Sequence, residues 1–363
     1  MNEINNNEKK INKFDINLKK YSMVSAKGFA MGAANVIPGV SGGTVAFVTG
    51  IYEELIGSLK YIASKEFILK ILKFKIKEIL TDKAVQFLIA LALGVFVAIV
   101  AASNIFTYSL AHYPEFTFSF FAGLVAASII SVLKEIKKWG VSRIIAIISG
   151  TIIAYFVVNM VPVETPQTWW MFLIGGVIFM CAMILPGLSG SFLMLILGQY
   201  TLIWGAVKSL ARLNFKLQDL TIIFFVGVGA VLGLGMFSHL LNWVFKKFHD
   251  LTVAVLTGFM VGSLWKLWPW KEIVSRSVRF ISDVGDNKYE TITENIYQTM
   301  LENPEVKIEK ARVLVDKNVL PQAFEGQFYG VVGLFVIGFI SVIILEMVLK
   351  KDNKELLENN NEG

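Results

Sequence analysis

The stretch Pro186-Gly187-Leu188-Ser189-Gly190-Ser191 lies in the middle of an uncharged run from Thr165 to Val207. A similar stretch, Pro38-Gly39-Val40-Ser41-Gly42-Gly43-Thr44, occurs earlier, inside the uncharged run from Gly28 to Tyr52. The residues that recur in one register are Pro38, Gly39, Ser41, Gly42, Gly50 and Tyr52, at the positions of Pro186, Gly187, Ser189, Gly190, Gly198 and Tyr200. This shared register indicates a duplication within the chain.

Each motif places a helix breaker inside an apolar segment. In lipid such a break is costly, because the backbone groups that it leaves unpaired find no water. A break persists where other parts of the protein or a water-filled cavity cover it. We therefore expect two broken helices, one in each repeat, that face a polar site inside a membrane protein.

The composition also indicates an integral membrane protein. Of the 363 residues, 55% are hydrophobic and 17% are charged, and charge-free runs long enough to span a membrane recur. The net charge of +6 forms no basic face, so no nucleic-acid partner is expected. Cys181 is the single cysteine and has no partner for a disulfide, and neither a metal nor a cofactor is expected.

Three segments of the sequence are polar. Residues 1–20 are rich in Asn and Lys and lack the apolar stretch of a signal peptide, so we expect a disordered cytoplasmic tail. Residues 350–363 are expected to form a second cytoplasmic tail. Residues 271–327 contain no apolar run long enough to span and are expected to form an extracytoplasmic loop or small cap.

Six apolar segments are long enough to cross a membrane as helices. They are Ala84–Leu110, Phe116–Leu133, Ile144–Met160, Leu220–Phe245, Leu251–Leu267 and Phe328–Leu349. The two arms of the first broken segment, Tyr21–Ile37 and Thr44–Leu59, are each shorter than a normal span. Lysines flank this segment on both sides, which favours a re-entrant hairpin or two short, tilted spans. The basic and apolar segment Glu66–Leu80 is predicted to lie along the cytoplasmic leaflet as an amphipathic helix.

These segments predict an all-α polytopic membrane protein with two repeats, residues 21–161 and 162–349. Each repeat is a re-entrant or broken helical hairpin followed by three transmembrane helices, and Phe121-Ala122-Gly123 loosely matches Leu256-Thr257-Gly258. An odd number of crossings gives the second repeat the inverted topology. This topology leaves three cations outside, Lys208, Arg212 and Lys216. A single span instead of the second hairpin would place them inside, but it would move the C-terminus outside.

The two turns have the chemistry of an anion site. Each turn opens a short helix whose first N–H groups and positive dipole end point into the break. Glycine allows close approach of an anion, hydroxyl groups add donors, and neither turn contains Lys or Arg. With the turns face to face near mid-membrane, we expect a pocket for a phosphate group, unless the glycines only permit tight helix packing. The pocket residues are Asn35, Pro38, Gly39, Ser41, Gly42, Gly43, Thr44, Pro186, Gly187, Ser189, Gly190 and Ser191.

Five further residues are candidates for coupling or for lipid recruitment. The two carboxylates among them would carry a coupling proton or simply lie solvated at the membrane interface. The two cations would recruit an anionic headgroup or act as ordinary juxtamembrane charges, and the histidine would line the cavity. The residues are Glu53, Glu54, Lys208, Arg212 and His239.

At these motifs the chain resembles the bacterial polyprenyl-phosphate transporter family, formerly known only as a domain of unknown function. The resemblance covers roughly residues 21–349. Members of the family often have Asp at the position of Asn35, so the resemblance implies no proton-carrying role there. The stretches that carry the resemblance are Met31–Thr44, Gly50–Tyr52, Leu185–Ser191, Gly262–Leu264 and Trp268–Trp270.

The resemblance implies a lipid flippase of the bacterial plasma membrane. Its substrate would be undecaprenyl phosphate, the lipid carrier of cell-wall and peptidoglycan synthesis, returned from the outer to the inner leaflet by alternating access. The residues alone indicate an anion transporter and add only that a phosphate pocket lies between apolar helix faces. They do not identify the lipid.

Two alternatives differ in chemistry. A transporter for a small soluble anion would use the same pocket. A membrane phosphatase acting on undecaprenyl pyrophosphate would need an arginine in the turn and a general base. Gly42 and Gly43 occupy the place where the cation would be needed, and neither broken segment contains histidine, so an enzyme is not expected.

Overall fold

The computed structural model describes residues 18–35, 41–160, 162–163, 165–211, 216–280, 289–302, 308–321 and 326–361. The helices are α1 Leu18–Asn35, α2 Gly42–Val48, α3 Tyr52–Ile62, α4 Lys65–Leu72, α5 Ile76–Leu80, α6 Lys83–His112, α7 Pro114–Leu133, α8 Val141–Val158, α9 Trp169–Ile184, α10 Gly190–Ile196, α11 Tyr200–Ala211, α12 Leu217–Lys247, α13 His249–Ser263, α14 Glu294–Glu302 and α15 Gly326–Asn361. A 3₁₀ helix, Leu264–Leu267, follows α13. The strands are β1 Lys271–Phe280, β2 Tyr289–Thr293 and β3 Ile308–Asn318.

Six of the described helices are long and apolar enough to cross a membrane. Each overlaps one of the predicted spans, so a mostly helical, multi-pass membrane protein is confirmed. Large apolar side chains such as Phe96 and Val231 are exposed on their outer faces, as expected for helices that contact lipid. The apolar stretches are Lys83–Ala101, Pro114–Leu133, Val141–Val158, Leu217–Lys247, His249–Leu267 and Gly326–Ile344.

The membrane helices pack in reciprocal pairs. Helix α1 packs along α6 as α9 packs along α12, and α7 packs along α15 as α13 packs along α8. The second membrane span of each half therefore contacts the last span of the other half. This exchange joins the two halves into one bundle.

Glycines set the close approach within these pairs, since small residues let helix backbones touch in membranes. Gly28 faces the carbonyl of Leu91, and Gly176 faces that of Val226 at the matching place in the second half. The matched glycines of the loose sequence repeat behave alike. Gly123 and Gly258 each face a carbonyl on the last helix of the other half, those of Phe335 and Ile147. The matched glycines thus make matched close contacts in the two halves of the bundle.

The bundle has two chemically different ends. At one end Lys60 donates to Asn242 near the end of α12, and Asp250 accepts the N–H groups of Lys137 and Lys138. We call this the lysine-rich end. At the other end Gln327, the last residue of the insertion, donates to Glu115 at 2.6 Å, and we call this the insertion end.

The insertion contains a three-stranded antiparallel sheet with the order β2-β1-β3. Arg276 of the central strand donates to both carboxylate oxygens of Glu294, at 2.6 and 3.1 Å, and its guanidinium holds the pKa of that carboxyl below the usual range. The expectation of a loop or small cap did not include a sheet. The sheet is an exception to the all-α prediction, because β1 (KEIVSRSVRF) mixes polar and apolar residues without the regular alternation that indicates a strand.

Two predicted segments differ in the structure. Residues 66–80 do not form one helix, because Phe74 has a φ of +50° and ends α4 before α5 begins at Ile76. Apolar side chains on both short helices are nevertheless exposed. Residues 350–361, expected to be disordered, continue α15, since Lys, Glu and Leu are strong helix formers. Residues 1–17 of the other predicted tail lie outside the described residues.

Candidate functional site

Helices α1 and α2 form the first hairpin and run antiparallel. At the closed end Asn35 Oδ1 accepts the N–H of Gly42 at 2.7 Å across residues 36–40, which lie outside the described residues. Toward the open end the ammonium group of Lys20 lies 3.2 Å from the carboxylate of Glu54. The first hairpin therefore opens toward the lysine-rich end.

Helices α9 and α10 form the second hairpin in the same way. Gly190 packs against Phe179 near the closed end, and Gln199 Nε2 donates to the Met171 carbonyl at 3.0 Å near the open end. Pro162, shortly before α9, lines a cavity together with strand β3 of the insertion. The second hairpin therefore opens toward the insertion end, opposite to the first.

The short helix of each hairpin ends in the same type of turn. In each, a glycine N–H bonds to the carbonyl three residues back, and the next N–H bonds to the carbonyl five residues back. The glycines have φ values of +69° and +66°, which is the Schellman geometry that glycine adopts without strain. The donor–acceptor pairs, all at 3.0 Å, are Gly50–Phe47, Ile51–Ala46, Gly198–Leu195 and Gln199–Met194.

The tips of the two hairpins touch each other. Thr44 and Tyr52 of the first hairpin are 1% and 2% exposed, so their hydroxyl groups need partners inside the protein. These partners come from the backbone of the second turn. The bonds run from Ser41 Oγ to the Leu185 carbonyl (2.9 Å), from the Gly187 N–H to Thr44 Oγ1 (3.0 Å) and from the Tyr52 hydroxyl to the Ile184 carbonyl (3.1 Å).

The two turns differ in how their amides are satisfied. In the first turn Asn35 accepts the N–H of Gly42, and Ser41 Oγ accepts the N–H of Gly43 at 3.2 Å. The expectation of uncovered amides is therefore wrong at these two positions, because short side-chain oxygens lie within reach of them. In the second turn Ser189 makes no side-chain cap, and its hydroxyl instead pairs with that of Ser191 at 3.0 Å.

Two glycines of the turns allow the backbones of different segments to pack closely in this structure. Gly187 has a φ of +82°, and a Cβ atom there would lie 2.6 Å from the backbone carbon of Phe259 on α13. A Cβ atom on Gly43 would lie 2.7 Å from the Ile184 carbonyl oxygen. Close packing, the alternative raised from the sequence, thus accounts for these two glycines in this conformation.

The other predicted residues lie away from the tips or outside the described residues. Glu53 pairs with His249 at 3.2 Å, and both Glu53 and Glu54 are exposed at the lysine-rich end. His239 is exposed on α12, and its Nδ1 lies 2.8 Å from the Gly235 carbonyl of the same helix. The residues that the structure does not describe, in whole or in their side chains, are Pro38, Gly39, Arg212 and Lys208.

Sequence analysis missed two residues of this region. Tyr52 was noted only as a repeat identity, although its hydroxyl joins the two turns. Gln199, 1% exposed, is the buried polar residue of the second hairpin, and its Oε1 has no partner among the described residues. Its place in a charge-free run, where the first hairpin has Ile51, was the available indication.

An apolar cavity of about 190 Å³ lies beside the first hairpin. It is bounded by α1, α2, α7 and α15, and Ser128, Thr49 and Ser341 are its few polar residues. The remaining lining consists of Ala30, Ala33, Ala34, Val45, Val48, Phe120, Phe121, Leu124 and Val342. Such a surface suits a hydrocarbon chain better than a polar solute.

The bundle of membrane-capable helices defines a multi-pass membrane protein. Comparison with known proteins specifies the family. Residues 31–283 match the model of the VCA0040-like family, described as undecaprenyl phosphate translocase-like. The chain belongs to this family.

Two curated relatives extend the comparison. The chain is 38% identical over 290 residues to a protein of Vibrio cholerae serotype O1 named polyprenyl-phosphate transporter. The aligned residues cover 77% of this chain and 91% of the relative. It is 31% identical over 256 residues to a protein of Staphylococcus aureus with the same name, covering 67% of this chain and 84% of the relative. Both are named as transporters and not as enzymes. No solved structure matches the chain.

Proposed function

We propose that this protein returns undecaprenyl phosphate, the polyprenyl-phosphate carrier of cell-wall synthesis, from the outer to the inner leaflet of the bacterial plasma membrane. The single observation that carries the proposal is the contact between the two turns. The turns lie at the closed tips of two hairpins, and the hairpins open toward opposite ends of the bundle. The names of the two relatives support the choice of substrate.

The hairpins are re-entrant and the halves are inverted repeats in this proposal. Each hairpin brings its two open ends to one side of the bundle, and the matched helices of the two halves pack reciprocally. Lysines cluster at the end where the first hairpin opens, and this supports our proposal that this end lies in the cytoplasm together with both chain termini. The repeats then comprise residues 21–161 and 162–349, with residues 271–327 as an extracytoplasmic insertion.

The phosphate headgroup binds between the turns. The second turn offers the hydroxyl groups of Ser189 and Ser191 and the first amides of α10, none of which is capped by the Ser189 side chain. The first turn offers Ser41 and Thr44 once they release the second turn. Backbone and hydroxyl donors hold a phosphate without a fixed cation, which suits a site that must also release it.

Exchange of hydrogen bonds provides the switch. In this structure Ser41 and Thr44 close the gap by bonding to Leu185 and Gly187. A phosphate oxygen accepts from the same donors, so the headgroup replaces these contacts instead of adding to them. Separation of the tips then exposes the site to one end or the other, which is alternating access between repeats.

The polyprenyl chain stays in the membrane during this step. The apolar cavity beside the first hairpin gives its headgroup-proximal part a surface next to the tips. Because the chain remains in the bilayer, its transfer to this surface removes no apolar area from water, so the cavity guides the chain by packing and shape and not by hydrophobic burial. A soluble anion would gain nothing from this cavity, which favours the lipid over the soluble-anion alternative.

The test is a reconstituted assay with labelled polyprenyl phosphate in liposomes that contain the purified protein. We expect the lipid to redistribute between leaflets without release of phosphate. Phosphate release would instead indicate the membrane phosphatase. Absence of lipid flux together with uptake of a small anion would indicate the soluble-anion transporter and contradict the proposal.

A pair of variants distinguishes a loss of headgroup binding from a general loss of stability. Ser189→Ala removes one hydroxyl of the second turn without removing a cap, so we expect folded protein with weaker headgroup binding. Thr221→Ala is the control, because this hydroxyl bonds to the Leu217 carbonyl of its own helix, α12. Equal transport by both variants would remove the second turn from the binding site.

A further inference from the structure

A second cavity lies at the insertion end, where the sheet meets the membrane helices. It has a volume of about 220 Å³, and we call it the vestibule. Strand β3 forms one wall, the end of α8 and the 3₁₀ helix Leu264–Leu267 form another, and Phe192 of α10 reaches it from the second hairpin. Its charged and amide side chains are those of Asn159, Lys266, Lys271, Asp316, Lys317 and Asn318.

One carboxylate in the vestibule forms ion pairs with two lysines. The ammonium groups of Lys266 and Lys271 lie 2.6 and 3.2 Å from the oxygens of Asp316, and these three side chains are 20%, 10% and 17% exposed. Burial lowers the pKa of Lys271. Burial also works to raise the pKa of Asp316, but the two lysines outweigh it and hold that pKa below its ordinary value.

The charges of the vestibule do not balance. Asp316 is the only carboxylate among the described residues that line it, whereas Lys317 adds a third cation. Positive charge in a partly dehydrated cavity is unfavourable unless an anion compensates it. A phosphate monoester carries between one and two negative charges at neutral pH and forms strong charge-assisted hydrogen bonds with ammonium groups.

The vestibule adjoins the second turn. The ammonium group of Lys266 lies 5.3 Å from the centre of the Phe192 ring, a cation–π contact. Phe192 directly follows Ser191, in the first turn of α10. A headgroup held by the lysines would therefore lie next to the hairpin that opens toward the same end.

Part of this arrangement lies beyond the family match. The matched segment ends at residue 283, whereas Asp316 and Lys317 belong to strand β3. Asp316 and Lys317 thus lie outside the segment of this chain that matches the family model.

We propose that the vestibule is an entry site for the phosphate monoester group of an isoprenoid lipid, which Lys266 and Lys271 capture before it reaches the second turn. This assignment rests on the proposed function. Asp316 keeps the two ammonium groups in place and competes with the phosphate for them. The carboxylate therefore limits affinity and allows the lipid to move on.

The test measures binding of a short-chain isoprenyl phosphate to the full-length protein in detergent, with the parent alcohol and inorganic phosphate as comparison probes. Lys271→Gln should weaken binding of the isoprenyl phosphate about tenfold, since a charge-assisted hydrogen bond is lost. Asp316→Asn should tighten it about threefold, because the competing carboxylate is gone. Lys317→Gln, at an exposed position, should weaken it about twofold.

The entry site predicts that Lys271→Gln weakens binding and Asp316→Asn tightens it, and these opposite effects distinguish it from a structural clamp. A clamp between sheet and membrane helices would make Lys271→Gln and Asp316→Asn weaken binding alike, or leave binding unchanged, and either result would overturn the entry site. Arg276→Gln is the matched control, since it breaks an ion pair of the same sheet outside the vestibule. Thermal unfolding of each variant verifies folding, and Lys317→Gln keeps the test decisive if Asp316→Asn does not fold.

The source of the phosphate is tested in the same experiment. The parent alcohol should not bind, and inorganic phosphate should bind more weakly than the isoprenyl phosphate. Equal affinity for inorganic phosphate would overturn the lipid assignment. Leaflet exchange by the wild-type protein is measured in parallel. If exchange occurs while Lys271→Gln binds normally, only the entry site is wrong; if exchange is absent, the proposed function is wrong whatever the vestibule binds.

Discussion

The two hairpins have the same course, but their turns differ in what satisfies the backbone. Asn35 and Ser41 cap the first turn, and its hydroxyl groups reach across to the other hairpin. The second turn has no such cap at Ser189, and its backbone receives contacts from the first. One hairpin therefore supplies side chains, and the other supplies a backbone that can be released.

This difference suggests a division of roles after duplication. A capped turn is stable by itself, because its buried N–H groups keep their partners when the tips separate. An uncapped turn depends on its neighbour or on a ligand. We infer that the first hairpin is the more permanent element and that the second is the one whose donors bind the headgroup. The predictions below test this division, beginning with the largest expected effect.

Gly187→Ala should have the largest effect. The residue has a φ of +82°, and a Cβ atom would lie 2.6 Å from the Phe259 backbone. Left-handed strain alone costs about 1–2 kcal/mol, and the backbone of α13 has to move in addition. We expect a large loss of thermal stability and of transport, measured in detergent and in liposomes. Gly205→Ala, with open space around it on α11, should be nearly neutral, and similar losses in both variants would contradict this explanation.

Thr44→Val should come next. The substitution keeps the shape of the side chain but leaves the buried N–H of Gly187 without its acceptor. An unpaired buried donor costs about 1–3 kcal/mol. Thermal unfolding should show this loss, whereas Thr44→Ser should retain most of the stability. If valine were as stable as threonine, the contact between the turns would not contribute to the fold.

The serines of the two turns should respond in different measurements. Ser41→Ala removes both a cap and a tie to Leu185, so it should lower stability by about 1 kcal/mol. Ser189→Ala removes neither and should instead weaken phosphate binding at nearly unchanged stability. Unfolding and binding are measured on both proteins. The reverse pattern, with Ser189→Ala destabilising and Ser41→Ala affecting only binding, would invert the proposed roles.

The sequence predicts the plan of the bundle because its physical signs are local and strong. Runs without charge mark the six spans, and the recurrence of Gly50 as Gly198 anticipates the same turn in both hairpins. The contact between the turns follows from the duplication combined with the lysine-rich flanks. These arguments need no side-chain geometry.

The details that distinguish the two turns depend on distances that the sequence does not contain. Asn35 accepts the N–H of Gly42 seven positions further along the chain, and the linear pattern does not show that these two groups meet. The vestibule joins Lys266 to Asp316, residues brought together by a sheet that the irregular pattern of β1 does not reveal. Sequence analysis therefore predicts which segments form the bundle better than how the amides of the two turns are paired.

Gln199→Met should have the smallest effect and tests the remaining difference between the hairpins. The first hairpin has Ile51 at this place, whereas Gln199 Oε1 is buried without a partner and lies against Gly175. Loss of the bond to Met171 is offset by removal of an unpaired acceptor, so the free energy of unfolding should change by less than about 1 kcal/mol.

A double-mutant cycle gives this last prediction its control. Gly175→Ala alone places a methyl group on the Gln199 oxygen and should destabilise, but it should be better tolerated in the Gln199→Met background, because the flexible thioether can move aside. Additive effects would show that the glycine is needed for another reason. A loss of transport by Gln199→Met at unchanged stability would instead mean that the unpaired oxygen acts in the transport cycle. Separation of the second hairpin from the first would then depend on Gln199 as well as on the uncapped turn.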